Sequence, residues 1–185
     1  MHVEIEAKLK VDSLVEVEAR LAACGASALG EVIQTDWYFD TVDRELTHGD
    51  ECLRLRSEKR ASRERFVLAY KGPKQKDDYK KRQEAEIEVN DAEATESLLA
   101  GLGYQKSLAF NKRRRLWRLR GCEVALDELP LLGAFVEIEG PDSDTIGTVQ
   151  AMLGLSDVPH TAVSYADLIE RELSAKGAGR REVYL

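Results

Sequence analysis

The sequence predicts an α+β fold, an eight-stranded antiparallel closed β-barrel with helices packed outside. Three observations carry that expectation. About eight segments alternate polar and apolar residues at period two, most follow one another through short turns, and the alternation gathers charge on one side of each strand.

The elements follow in chain order. Residues 2–10 alternate as a strand, and Ser13 with Glu16 forms a capping box for a helix that aligns Leu14, Val17 and Leu21, with Gly25 past its end. Residues 31–40, 51–58 and 65–71 read as three further strands, the first closing at Asp40-Thr41-Val42-Asp43, before Gly72-Pro73 breaks the pattern. The polar stretch from Lys74 to Lys81 reads as an exposed loop. Glu84 to Val89 is an acidic alternating strand, and Asp91 caps a helix whose Leu98, Leu99 and Leu102 end before Gly103. This order repeats that of residues 4–25, as a weak internal duplication. Stretches 105–119 and 122–128 turn at Arg120-Gly121, strand 134–140 follows, and helices run from Thr145 to Leu153 and from Ser164 to about Lys176. One domain is expected over 1–176, with 177–185 a loosely held tail.

Composition excludes several classes. With 43% hydrophobic and 33% charged residues the 185-residue chain is not disordered, and no apolar run approaches the length of a membrane span. The opening Met1-His2-Val3-Glu4 lacks a signal peptide's basic and apolar regions, which argues for a cytoplasmic protein with no membrane partner. A net charge of −7 disfavours nucleic acid as a partner and leaves a homodimer open. Cys24, Cys52 and Cys122 fit neither a disulfide framework nor a zinc site, and His2, His48 and His160 are scattered. Tyr38, Tyr165 and Trp37 read as packing residues, and alternation points Arg113 and Arg115 away from Lys112 and Arg114.

Sorting by parity puts Glu4, Glu6, Lys8, Arg54, Arg56, Lys71, Arg82, Glu84, Glu86, Lys112, Arg114, Asp127, Glu137 and Glu139 on one face. An open sheet would wet that face; a closed barrel would turn it into a lumen. Such a lumen cannot be dry, because each unpaired buried ion costs several kcal/mol. Carboxylates at i and i+2 in Glu4-Ile5-Glu6 and Glu137-Ile138-Glu139 suit Mg²⁺ or Mn²⁺, and guanidinium forks suit phosphate oxygens. A triphosphate with its metal satisfies both halves.

Glu4-x-Glu6-x-Lys8, Leu53-Arg54-Leu55-Arg56, Lys71, Arg82-x-Glu84-x-Glu86, Lys112-x-Arg114, Asp127 and Glu137-x-Glu139 resemble, in that order, the CYTH superfamily of triphosphate tunnel metalloenzymes. The likeness covers roughly residues 2–170. It implies an eight-stranded tunnel that binds a nucleoside triphosphate or inorganic triphosphate with one or two divalent ions, Mg²⁺ or Mn²⁺. By motif position Glu4, Glu6, Asp127, Glu137 and Glu139 correspond to metal ligands, and these with Lys8 form the implied catalytic set. Lys8, Arg54, Arg56, Lys71, Lys112 and Arg114 correspond to phosphate binders, while Arg82, Glu84 and Glu86 match a strand of less definite role. Asp36-x-Tyr38-Phe39-Asp40, Lys71-Gly72-Pro73 and Ser164-Tyr165-Ala166-Asp167-Leu168 look like the class IV adenylyl cyclase branch. Cys52 stands where the family's thiamine triphosphatases carry a stacking tryptophan. The expectation is an adenylyl cyclase making cyclic AMP and pyrophosphate from ATP. The alternatives are a tripolyphosphatase or nucleoside triphosphatase, and a non-enzymatic triphosphate sensor.

Overall fold

Alternation becomes strands through most of the chain in the computed structural model, which describes residues 2–3, 5–61, 63–73, 83–177 and 181–185. The strands are β1 (His2–Val3), β2 (Glu6–Val11), β3 (Ser27–Asp40), β4 (Cys52–Arg60), β5 (Arg63–Lys71), β6 (Gln83–Val89), β7 (Gln105–Leu119), β8 (Cys122–Leu129), β9 (Gly133–Glu139) and β10 (Glu182–Val183). The helices are α1 (Leu14–Ala23), α2 (Glu45–His48), α3 (Ala92–Gly101), α4 (Ser143–Met152) and α5 (Tyr165–Ala175). Ser13, Asp91, Asp142 and Ser164 cap α1, α3, α4 and α5 by accepting the amides of Glu16, Ala94, Thr145 and Asp167. The Asp142 cap starts α4 two residues before the expected Thr145.

Antiparallel pairing runs β1-β6-β5-β4-β3-β7-β8-β9-β2, so the two ends of the ladder, β1 and β2, are consecutive in the chain. The two edges of the expected closed barrel thus belong to consecutive strands, β1 pairing with β6 at His2–Val3 and β2 with β9 from Glu6 onward. The hydrogen-bonded ring itself is not continuous among the described residues.

Outward residues make the main core. Ala7, Leu9, Val124, Leu126, Val136 and Ile138 meet Val17 and Leu21 of α1 and Ile146, Val149 and Leu153 of α4. On the other side Leu99 of α3 covers Phe39 and Leu55, with Trp37 partly buried against them. The two strand–helix units that echo each other in sequence thus cover opposite sides. Leu98 and Leu102 do not join that core; they are 63% and 65% exposed. Gly140, just after β9, has no room for a side chain, since a Cβ there would lie 2.8 Å from Cys122 Sγ and 2.9 Å from Ile146 Cγ1. Gly140→Ala is expected to cost about 1–3 kcal/mol by overpacking, read as a lower urea midpoint; an unchanged midpoint would contradict this packing.

Not every helix packs outside. Tyr165, Ile169 and Leu173, spaced by four on α5, pack on Leu108, Phe110, Leu129 and Phe135. Those four share the parity of Lys112, Asp127 and Glu137, so α5 stoppers one end of the lumen instead of lying on its outer wall. The tail expected to hang loosely is fastened at 181–185. Β10 pairs parallel to β7 at Ala109 and Phe110, the Leu185 amide donates to Asn111 Oδ1, and Arg181 donates to Glu170 of α5. Β8 pairs with β7 only from Arg113 onward, which leaves that earlier stretch of β7 open to β10. The 74–81 loop lies outside the described residues.

Candidate functional site

Parity delivers the charged residues to one space. Glu6 and Lys8 from β2, Arg54 and Arg56 from β4, Lys71 from β5, Glu84 and Glu86 from β6, Lys112 and Arg114 from β7, and Glu137 and Glu139 from β9 line a cavity of about 700 Å³. Glu4 and Arg82 lie outside the described residues. Asp127 faces the lumen but is 0% exposed and is not part of the cavity wall.

The cations do not stand alone. Lys8 Nζ lies 3.2 Å from Glu137 and 3.8 Å from Glu6, and Lys71 Nζ is 2.8 Å from Glu84. Arg56 forks onto Asp36 at 2.6 and 2.8 Å, while Arg54 lies 3.7 Å from Asp36 and 3.5 Å from Glu86. Lys112 donates to Asp127 at 3.2 Å, and Arg114 donates to both oxygens of Asp127 and to Glu137. The lumen that looked unstable when empty is thus neutralised by its own acids. Cross-strand register explains how, because Asp36 faces Arg56, Lys71 faces Glu84, Arg114 faces Asp127 and Lys8 faces Glu137.

Burial and neighbours shift the titrations. Burial alone would raise Asp36, but Arg56 and Arg54 outweigh it and hold the carboxyl well below its ordinary range. Burial, reinforced by the charge of Arg114, pushes Lys112 down to about 8 against the pull of Asp127 and Glu137. Burial, followed by Asp127 and Glu137, pushes the Tyr165 hydroxyl far up, so it remains a donor to Asp127 at 3.0 Å.

Sequence reasoning passed over several lining groups. Gln34 and Glu58 share a hydrogen bond of 2.7 Å within the wall, and Glu123 joins it from β8. Their parity with Asp36, Arg56 and Asp127 was the available signal. Asp36 entered only as part of a pattern, and Tyr165 as part of a pattern and as packing; both are buried against the site's cations.

The carboxylates fit a hard cation. Glu123, Glu139 and Glu6 stand side by side on β8, β9 and β2, and directly opposed like charges repel unless a cation lies among them. Their oxygen-only donor set suits Mg²⁺ or Mn²⁺. Among the described residues no three metal-binding side chains are already gathered around one point, and Glu137 is engaged with Lys8 and Arg114.

Known proteins agree with this architecture. Over 142 residues the chain is 32% identical to a Methanocaldococcus jannaschii protein provisionally named an adenylate cyclase, covering 77% of this chain and 79% of that one. It is 28% identical to adenylate cyclase CyaB of Aeromonas hydrophila over 181 residues, or 92% and 91% of the two chains. A Pyrococcus horikoshii protein of solved structure superposes with a TM-score of 0.80 at 26% identity, covering 91% of this chain and 99% of its own. A Hippeastrum protein whose structure was described with a dominant triphosphatase activity shares the fold at 18% identity, with a TM-score of 0.69 and coverage of 96% and 97%. The model of the CYTH domain matches residues 2–153, the span that holds the lining strands from β2 to β9. By that match and by the inward charges of those strands, the chain belongs to the CYTH domain family.

Proposed function

We propose that the protein is a divalent-metal-dependent enzyme acting on a triphosphate, an adenylyl cyclase of the class IV type that converts ATP to cyclic AMP and pyrophosphate. One observation carries the triphosphate reading: six buried or half-buried cations from four strands share one cavity with carboxylates at each of them. A triphosphate with its metal can exchange with those internal pairs, the phosphates taking the cations and the metal taking carboxylates. Arg54 and Arg56 offer planar forks to phosphate oxygens; Lys8, Lys71 and Lys112 neutralise them as point charges. A bound Mg²⁺ or Mn²⁺ supplies charge neutralisation at the reacting phosphoryl group and a lowered pKa for the attacking hydroxyl. Among the described cavity residues there is no histidine to serve as a base. The cyclase names of the two relatives support the choice of reaction.

Hydrolysis is the second reading, and the Hippeastrum protein's dominant triphosphatase activity favours it, because the same fold hosts that chemistry. The two reactions differ in what the sugar must do. Cyclisation needs the ribose 3′-oxygen in line with the α-phosphorus, whereas hydrolysis of tripolyphosphate needs no sugar. Product analysis by chromatography with Mg²⁺ or Mn²⁺ is expected to give cyclic AMP and pyrophosphate from ATP. It should also show no product from 3′-deoxy-ATP and competitive inhibition by tripolyphosphate. Orthophosphate release from ATP or tripolyphosphate, with 3′-deoxy-ATP cleaved as readily as ATP, would establish the hydrolase instead.

A further inference from the structure

Tyr165, the first residue of α5, touches three groups of the lumen at once. Its ring centroid lies 4.2 Å from Lys8 Nζ and 4.9 Å from Lys112 Nζ, and its hydroxyl donates to Asp127 Oδ2 at 3.0 Å. The ring cannot turn freely. Phe135 packs edge-on against it at 5.2 Å and 77°, while Ile169 and Leu173 seat the following turns of α5 in the same apolar cluster. Farther along, Glu170 receives hydrogen bonds from Arg44, on the loop before α2, and from Arg181 of the tail, which fixes the helix from two sides.

Lysine carries its charge on a long flexible stem, so a lysine that must meet a ligand at a fixed point needs something to hold it. A carboxylate can do this, but it competes with an incoming phosphate for the same ammonium. An aromatic face attracts the cation through its quadrupole and leaves ammonium hydrogens for the ligand. Lys8 and Lys112 have both kinds of partner, with Glu137 and Asp127 as the acids and one shared ring as the neutral surface. Lys8 also donates to the carbonyl of Val163, 155 residues away in sequence and two before Tyr165, so the start of α5 grips it twice.

We propose that Tyr165 is a positioning residue of the phosphate site: its ring face holds Lys8 and Lys112 in place, and its hydroxyl steadies Asp127 against Lys112 and Arg114. The inference rests on the triphosphate reading given above. It goes further by assigning a role to a residue outside the charged motifs.

Calorimetric binding of tripolyphosphate in Mg²⁺ tests it, with turnover measured alongside. Tyr165→Phe keeps the face and loses the hydroxyl, and should bind within about threefold of the natural protein, since the buried Asp127 that loses this donor keeps those of Lys112 and Arg114. Tyr165→Leu loses the face and should weaken binding about tenfold or more, raising KM more than it lowers kcat. Should the leucine variant not fold, Tyr165→pentafluorophenylalanine keeps the shape of Phe while reversing its quadrupole. With 4-fluorophenylalanine as an intermediate, affinity should fall stepwise along that series. Equal affinities for Phe and Leu, or a flat fluorination series, overturn the assignment while leaving triphosphate binding intact. Failure of the natural protein to bind tripolyphosphate overturns both.

Discussion

Glu137→Gln is expected to lower turnover by at least about a hundredfold, or roughly 3 kcal/mol of transition-state stabilisation, with little change in folding stability. The two halves of that expectation have different sources. Glutamine keeps the shape but removes the charge that the proposed chemistry needs for its divalent ion. The fold tolerates the loss because both cations on Glu137 keep another acid: Lys8 retains Glu6 at 3.8 Å, and Arg114 retains Asp127 at 2.5 Å. Rate and melting temperature measured on the same preparation check it. Unchanged turnover would remove Glu137 from the catalytic set, and a collapse in melting temperature would make its role structural.

Asp36→Asn should do the reverse, acting on stability first. Asp36 is 1% exposed and is the carboxylate shared by Arg54 and Arg56. Neutralising it leaves two mostly buried guanidiniums short of a counter-charge, a class of change that costs about 3–5 kcal/mol and, in a chain of this size, on the order of 10 °C. The sign with pH follows from its depressed titration. A carboxyl held below its ordinary value of 3.8 stabilises the fold above that pH and loses the contribution as pH falls further. The gap between natural protein and variant should therefore be widest near neutrality and narrow in acid. Tripolyphosphate should restore part of the loss, because its oxygens can take the place of the missing carboxylate; at about a hundred times its dissociation constant, binding alone contributes roughly 2.7 kcal/mol. Equal unfolding midpoints at pH 7 would show that Arg54 and Arg56 do not depend on Asp36.

What could be read from sequence divides along the range of the interactions. Period-two alternation is local, so the inward placement of Lys8, Arg54, Arg56, Lys112, Arg114 and Glu137 was legible without knowing any neighbour. Caps are local too, and Ser13 and Asp91 were found where they act. Pairing is not local. That Asp36 faces Arg56, or that Asp127 lies beneath Arg114 and Lys112, depends on register between strands whose offsets are set by turns such as the left-handed Arg120-Gly121 pair. The ion pairs that neutralise the lumen were accordingly invisible. Tyr165 illustrates the same limit from the side of the helices: its apolar spacing with Ile169 and Leu173 signals a buried face, but not that the buried face lies at the mouth of the lumen. Β10 escaped because two residues of strand carry no periodicity.

Because the consecutive strands β1 and β2 pair with β6 and β9, the two edges of the sheet, the molecule assembles from its far ends. Β2 is made near the start of the chain, yet its ladder partner is Gly133–Glu139, and β1 needs Gln83–Val89. Both edges of the sheet wait for the same short segment, so closing the barrel is a late event that brings distant parts of the chain together. Topologies dominated by such non-local pairing fold in milliseconds to seconds rather than microseconds. During that interval the edges of β9 and β6 present unpaired backbone groups, the template on which strands of separate molecules join. Dilute, slow renaturation should therefore recover more protein than rapid renaturation at high concentration, with the yield limited by the arrival of residues 2–11.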